Sequence, residues 1–149
     1  MYRHILVPLD GSPLAEQVLP HVHALAANEG TTRITLLRAV PPVFTPSVDY
    51  TGMLASSAEV FETMEQEARD YLERIAAEFR AEGYTVRTEV SALPAAEAIL
   101  DYAESEHADL IAIATHGRSG IGRWVFGSVT QKVVQAAPVP VLVVRPKPE

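Results

Sequence analysis

Apolar positions along the chain follow two alternating rhythms: short unbroken runs, and longer stretches in which they recur every three to four residues. His4-Ile5-Leu6-Val7-Pro8-Leu9 is such a run, and it ends in Asp10-Gly11-Ser12-Pro13. This predicts a buried strand, a turn and a helix start, with Ser12 as N-cap and Pro13 at the first helical position. Leu14, Val18, Val22 and Leu25 continue at helical spacing until Asn28-Glu29-Gly30, and Pro20 inside this helix is expected to bend it. Residues 32–40 read as a second strand. Residues 41–55, with Pro41, Pro42, Pro46 and Gly52, read as a mobile loop. Ser56 or Ser57 then caps a long helix whose apolar stripe is Val60, Met64, Ala68, Tyr71, Leu72, Ile75 and Phe79. Its other face carries Glu59, Glu62, Glu65, Glu67, Asp70, Glu73, Glu78 and Glu82, the signature of a solvated surface. Gly83 stops it.

Residues 84–91 predict an outer strand, with Val86 and Val90 on one face and Arg87 and Glu89 on the other. Pro94 opens a third helix with Ala98, Ile99 and Tyr102 inward. Leu110-Ile111-Ala112-Ile113-Ala114 is apolar throughout, as expected of a central strand covered on both faces. A glycine-rich loop, a helix over residues 128–137, a break at Pro138 and a strand over residues 139–144 complete the chain. Five strands alternating with helices imply one α/β domain over residues 1–149: a doubly wound, five-stranded parallel sheet with helices on both faces. Ligands in this architecture sit beyond the C-terminal ends of the strands, where strand order reverses. The segments at that edge are residues 8–12, 40–42, 91–94 and 114–128.

Composition narrows the chemistry. The 149 residues fit one core, and no apolar run approaches the roughly 18 residues of a membrane helix. The first apolar run is too short for a secretory signal. With no cysteine, disulfides, thiol nucleophiles and thiolate metal sites are excluded, and a cytoplasmic setting fits best. A net charge of −7 argues against non-specific nucleic-acid binding. That charge is unevenly spread. Residues 110–149 carry Arg118, Arg123, Lys132, Arg145 and Lys147 against Glu149 alone. Such a segment either favours a local anion or is simply buried and poor in charge.

Gly117, Gly120, Gly122 and Gly127 crowd one loop, and Gly127-Ser128 leads directly into a helix. Glycines allow backbone to approach a ligand, and free N–H groups at a helix start attract phosphate. Ser128 and Thr130 add hydroxyls, and Arg118 and Arg123 add charge. The loop has no Gly-Lys-Ser/Thr and does not follow the first strand, so it is neither a Walker loop nor a dinucleotide fingerprint. Without a ligand it would be a connection that merely needs turns. Asp10, at the same sheet edge, suits a ribose hydroxyl or a metal, or else a local turn.

These motifs are similar to those of the universal stress protein family, nearly end to end. The resemblance rests on residues 4–12, on Asp109-Leu110-Ile111, on Thr115-His116-Gly117-Arg118-Ser119-Gly120, on Gly127-Ser128-Val129 and on residues 138–144. The ATP-binding branch of that family carries Gly-x2-Gly-x9-Gly-Ser/Thr. Gly117, nine residues, Gly127 and Ser128 match its last three elements, and Ala114 replaces its first glycine. The added methyl either narrows the pocket, changes which nucleotide fits, or is absorbed. The resemblance implies that Pro8, Leu9, Val40 and Ile113 line an adenine pocket, with Val40 backbone groups reading the base edge. It implies that Asp10 meets the ribose or the metal–phosphate region, with magnesium as the expected metal. It also implies that Gly117, Arg118, Gly127, Ser128, Val129 and Thr130 carry the phosphates. The last strand is apolar on both faces, and the resemblance places it at a sheet edge, where a second copy would pair with it to form a homodimer.

A dedicated catalytic apparatus is not evident. His4, His21, His23 and His107 read as surface or packing residues. His116, in the glycine loop, suits loop orientation better than general-base work. Ser12 and Ser128 have no visible base partner. The resulting expectation is an ATP-binding regulatory protein with slow hydrolysis at most. The first alternative is a dimeric scaffold with a vestigial pocket. The second is a phosphoacceptor receiver domain, which lacks here the acidic cluster after the first strand and an Asp ending the third.

Overall fold

The computed structural model describes residues 2–27, 30–42, 57–115 and 126–147. In chain order the elements are β1 (His4–Pro8), α1 (Pro13–Glu16), α2 (Leu19–Ala26), β2 (Arg33–Ala39) and α3 (Ser57–Ala81). They continue with β3 (Thr85–Ser91), α4 (Ala95–Ser105), β4 (Leu110–Ala114), α5 (Ser128–Ala136) and β5 (Val141–Val144). The five strands form one parallel sheet in the order β3-β2-β1-β4-β5. The chain builds outward from β1 through β2 to β3, then returns to β1's other side for β4. Strand order therefore reverses between β1 and β4, the position at whose C-terminal edge ligands of open α/β sheets are generally received.

The alternating side chains of β1, β2, β4 and β5 feed two cores, and those of β3 feed the first alone. Ile5, Val7, Ile34, Leu36 and Val86 pack with Val18, Val22, Leu72, Ile75 and Phe79 on the face covered by α1, α2 and α3. Leu6, Leu37, Ile111 and Ile113 pack with Ala98, Ile99, Ala103 and Val133 on the face covered by α4 and α5. All five residues of β4 are buried, as its unbroken apolar run predicts. Gly83, at φ +95°, closes α3: Tyr84 N–H donates to the Phe79 carbonyl at 3.1 Å and Gly83 N–H to that of Arg80 at 3.0 Å. This left-handed C-terminal closure suits glycine.

Three predicted elements differ in detail. The single bent helix after Pro13 is two helices. Pro20 has no N–H and its ring excludes the carbonyl four residues back, so α1 stops at Glu16 and α2 restarts with Pro20 in its first turn. Three-residue bonds bridge the gap, Gln17 N–H to Leu14 O at 3.2 Å and Val18 N–H to Ala15 O at 3.3 Å. In α3 the predicted stripe is buried at Ala68, Leu72, Ile75 and Phe79 and half-buried at Tyr71, but Val60 and Met64 are exposed. Helix α3 has 25 residues, about 37 Å, against about 23 Å for the 7 residues of β2. Its first turns therefore overhang the sheet. The last strand begins at Val141 instead of residue 139, because Pro138 and Pro140 have no N–H to give a ladder. The expected mobile loop falls mostly on residues 43–56, outside the described residues.

At the N-terminal edge, His4 is buried, taking the packing role of the two its position allows. Its Nε2 is 2.8 Å from Thr35 Oγ1, and its Nδ1 is 3.2 Å from the Glu106 carbonyl and 3.0 Å from Arg33 Nη2. Burial, and then the Arg33 charge, push its pKa below the ordinary histidine value. The folded chain thus resists protonating His4 more than the unfolded chain does. Stability is full above the unfolded histidine pKa of about 6.5 and declines as pH falls through it toward the lower folded value. The melting temperature is expected to drop between pH 7 and 5.5, and His4→Gln to flatten that slope. An identical slope in His4→Gln would assign the acid sensitivity elsewhere.

Candidate functional site

The C-terminal ends of β1, β2 and β4 and the start of α5 assemble the candidate site. Pro8 ends β1 opposite Leu37, and Leu9 N–H continues the ladder to the Leu37 carbonyl at 2.9 Å. Asp10 then leaves the sheet, exposed, and one carboxylate oxygen accepts from Ser12 N–H at 2.9 Å. Ser12 in turn caps α1, its hydroxyl accepting from Ala15 N–H at 3.2 Å, so it is occupied structurally. Val40 is buried beyond the end of β2. Its N–H donates to the Ser91 carbonyl at 2.7 Å, which leaves the Val40 carbonyl as the group that could read a base edge.

On the other side of the reversal, Ile113 is buried toward α4 and α5, and Ala114 ends β4 opposite Val144. The Ala114 methyl belongs to the same apolar cluster as Leu9 and Ala15, so the core accommodates it. Thr115 follows, fully buried, and its hydroxyl has no hydrogen-bond partner among the described residues. Gly127 is the N-cap of α5, with φ −60° and ψ 158°. Any residue adopts those angles, so backbone conformation does not call for glycine there. Gly127 has no side chain with which to cap this helix, and the first internal bond runs from Gln131 N–H to the Gly127 carbonyl at 3.0 Å. The N–H groups of Ser128, Val129 and Thr130 precede that bond. They carry the positive end of the helix dipole. Ser128 is exposed, Val129 half-buried and Thr130 buried. The tail after β5 passes close by: Gln17 receives Lys147 N–H at 2.8 Å and donates to its carbonyl at 3.2 Å.

Pro8, Leu9, Asp10, Val40, Ile113, Ala114, Gly127, Ser128, Val129 and Thr130 thus all lie at the C-terminal edge of the sheet or the start of α5. Gly117 and Arg118, with His116, Arg123 and Trp124, lie outside the described residues. Among the described residues no three His, Asp or Glu side chains converge as a metal site. No helix there is long and apolar enough to cross a membrane.

One cluster beside Asp10 is invisible to local sequence reading. Arg38, at the end of β2, stacks on the Tyr71 ring of α3, its Cζ 5.2 Å from the centroid. Arg74 approaches the same ring at 5.5 Å and pairs with Glu16 at 3.7 Å. The Tyr71 phenol is pushed up to about 12, by burial first and then by the charges of Glu16 and Asp10, against Arg38 and Arg74. Four charges therefore surround one ring at the edge of the site.

A five-stranded parallel sheet in the order β3-β2-β1-β4-β5, with helices on both faces, is a doubly wound α/β fold. The universal stress protein family model matches residues 1–145, and the chain belongs to this family. Universal stress protein MJ0577 of Methanocaldococcus jannaschii is 31% identical over 99% of this chain and 97% of its own length. A universal stress protein of Thermus aquaticus is 35% identical over 97% of this chain and its entire length, 100%. The solved structure of MJ0577 superposes with a TM-score of 0.79 at 30% identity, covering 100% of this chain and 99% of the other. UspA from Lactobacillus plantarum superposes at 0.74 with 29% identity over 97% and 98% of the two chains. A universal stress protein solved in complex with cAMP shares the fold at a TM-score of 0.65 and 19% identity, over 98% of each chain.

Proposed function

We propose that this chain binds ATP with magnesium at the C-terminal edge of its sheet and works in the cytoplasm as a nucleotide-responsive regulator, with slow hydrolysis at most. The observation that carries this reading is Gly127. It is a glycine whose φ and ψ do not require one, and as the N-cap it offers no side chain of its own to the first N–H groups of the helix. A missing side chain there is accounted for by a phosphate lying against the backbone, received by the N–H groups of residues 128–130. Gly117 and Arg118 complete the cradle in this reading. The adenine would lie among Pro8, Leu9, Val40 and Ile113. With the Val40 N–H donating to the Ser91 carbonyl, the Val40 carbonyl favours a base edge that donates, as the adenine amino group does.

The residues fit a metal–nucleotide complex. Magnesium bridges phosphate oxygens, keeps several waters and takes one or two carboxylates, and Asp10 is the carboxylate at this edge. When bound, the ion offsets phosphate charge; Asp10 would orient it and receive the ribose. The family's cAMP complex supports an adenine-nucleotide ligand over other phosphates.

Mass spectrometry of small molecules released from the purified, denatured protein tests the reading; an adenine nucleotide at near one per chain is expected. Its absence, with no binding of added nucleotide, would favour the dimeric scaffold with a vestigial pocket. Asp10→Asn is expected to weaken ATP binding more with magnesium than without it, as read by parallel titrations. Equal losses in both would remove Asp10 from the metal.

A further inference from the structure

We propose that Arg38 is a positioning residue for this site: clamped by Tyr71 onto the β1–α1 turn, it holds Asp10 in place and offsets its charge when the nucleotide arrives without a metal. The proposal rests on the nucleotide reading above. Its geometry begins at Gly11, which has φ +87°. A Cβ built there would lie 3.1 Å from Arg38 Nη1 and 3.2 Å from both Cζ and Nη2. The guanidinium therefore lies directly on the Gly11 backbone, next to Asp10, in space that only glycine leaves open. Tyr71 holds it from the other direction at 5.2 Å. A planar, delocalised cation suits both contacts; an ammonium would keep the charge but lose the stack.

The two cations on the ring differ in what they meet. Arg74 is well exposed and ion-paired to Glu16 at 3.7 Å. Arg38 is half-buried and lies on the turn that carries Asp10. Asp10 faces a conflict that this cation resolves. A bare triphosphate at the start of α5 is repelled by the carboxylate, whereas a magnesium ion between them removes the repulsion. Arg38 serves in the metal-free case. Its removal strengthens the pull of Asp10 on a metal and exposes its repulsion of metal-free phosphate. The dependence of nucleotide affinity on magnesium should therefore rise.

The test is a set of ATP titrations of the full chain, with magnesium and with chelator, on wild type, Arg38→Met and Arg38→Lys. Methionine keeps an apolar stem against Tyr71 and Gly11, and lysine keeps the charge. Arg38→Met is expected to lose roughly tenfold in affinity for metal-free ATP and much less for magnesium-ATP. Arg38→Lys is expected to restore most of the metal-free affinity. Melting temperatures report whether each variant is folded. A purely structural role would lower both affinities together, so an unchanged ratio in folded Arg38→Met overturns the proposal. Wild type that binds ATP in neither condition overturns the nucleotide reading itself, which is a separate and distinguishable result.

Discussion

Gly127→Val is expected to abolish nucleotide binding while leaving the chain folded. The backbone at Gly127 already sits at φ −60° and ψ 158°, a region that a β-branched residue occupies without strain. Losing glycine as N-cap costs about 1 kcal/mol, roughly 2–4 °C in melting temperature for a chain of this size. The isopropyl group, however, would fill the space a phosphate needs to reach the N–H groups of Ser128, Val129 and Thr130. Ser128→Ala grades the same claim. The Ser128 hydroxyl is exposed on the first residue of α5, and the cap is Gly127, so stability should hardly change. If the hydroxyl donates to phosphate, one charge-assisted bond of about 1.5–3 kcal/mol is lost and affinity falls roughly 10- to 150-fold. A lower melting temperature with unchanged affinity would defeat the cradle assignment.

The second large effect is expected at β5. This strand ends the sheet, with β4 on one side, and Val141, Leu142 and Val143 are only half-buried. Leu142 packs toward one core and Val141 and Val143 toward the other, so the edge is apolar on both faces. Such an edge invites pairing, and two copies related by a two-fold axis would close it in both. The chain is expected to be a homodimer through residues 139–144. Val141→Asp or Val143→Asp is expected to give monomer or precipitate, read by light scattering with circular dichroism as the control for folding. Wild type that scatters as a monomer at micromolar concentration would refute the interface.

Much of this molecule was legible before its structure, because its signals are local. The unbroken run of β4, the Ser12-Pro13 helix start and the Gly83 stop each act within a few residues. Together they define the strand–helix alternation, hence the parallel sheet and the segments at its C-terminal edge. Asp10, Ala114 and Gly127 were placed at that edge because each adjoins the end of a strand or the start of a helix. What escaped depends on partners far along the chain. The spacing of Leu14, Val18, Val22 and Leu25 runs straight through the break that Pro20 imposes, because both short helices face the same core. The stripe of α3 extends to Val60 and Met64, but only the sheet's length decides where burial begins. Of the two roles open to His4, surface or packing, the choice is made by Thr35 and the Glu106 carbonyl, both distant in sequence. Arg38 meets Gly11 and Tyr71 only once β1, β2 and α3 are packed.

The central claim is that the edge formed by β1, β4 and the start of α5 holds an adenine nucleotide. Isothermal titration of ligand-stripped protein with ATP, ADP and AMP, each with and without magnesium, tests it most directly. The expected result is saturable binding at one site per chain, strongest for magnesium-ATP and lost in Gly127→Val. No heat with any of the three nucleotides in either condition would contradict it.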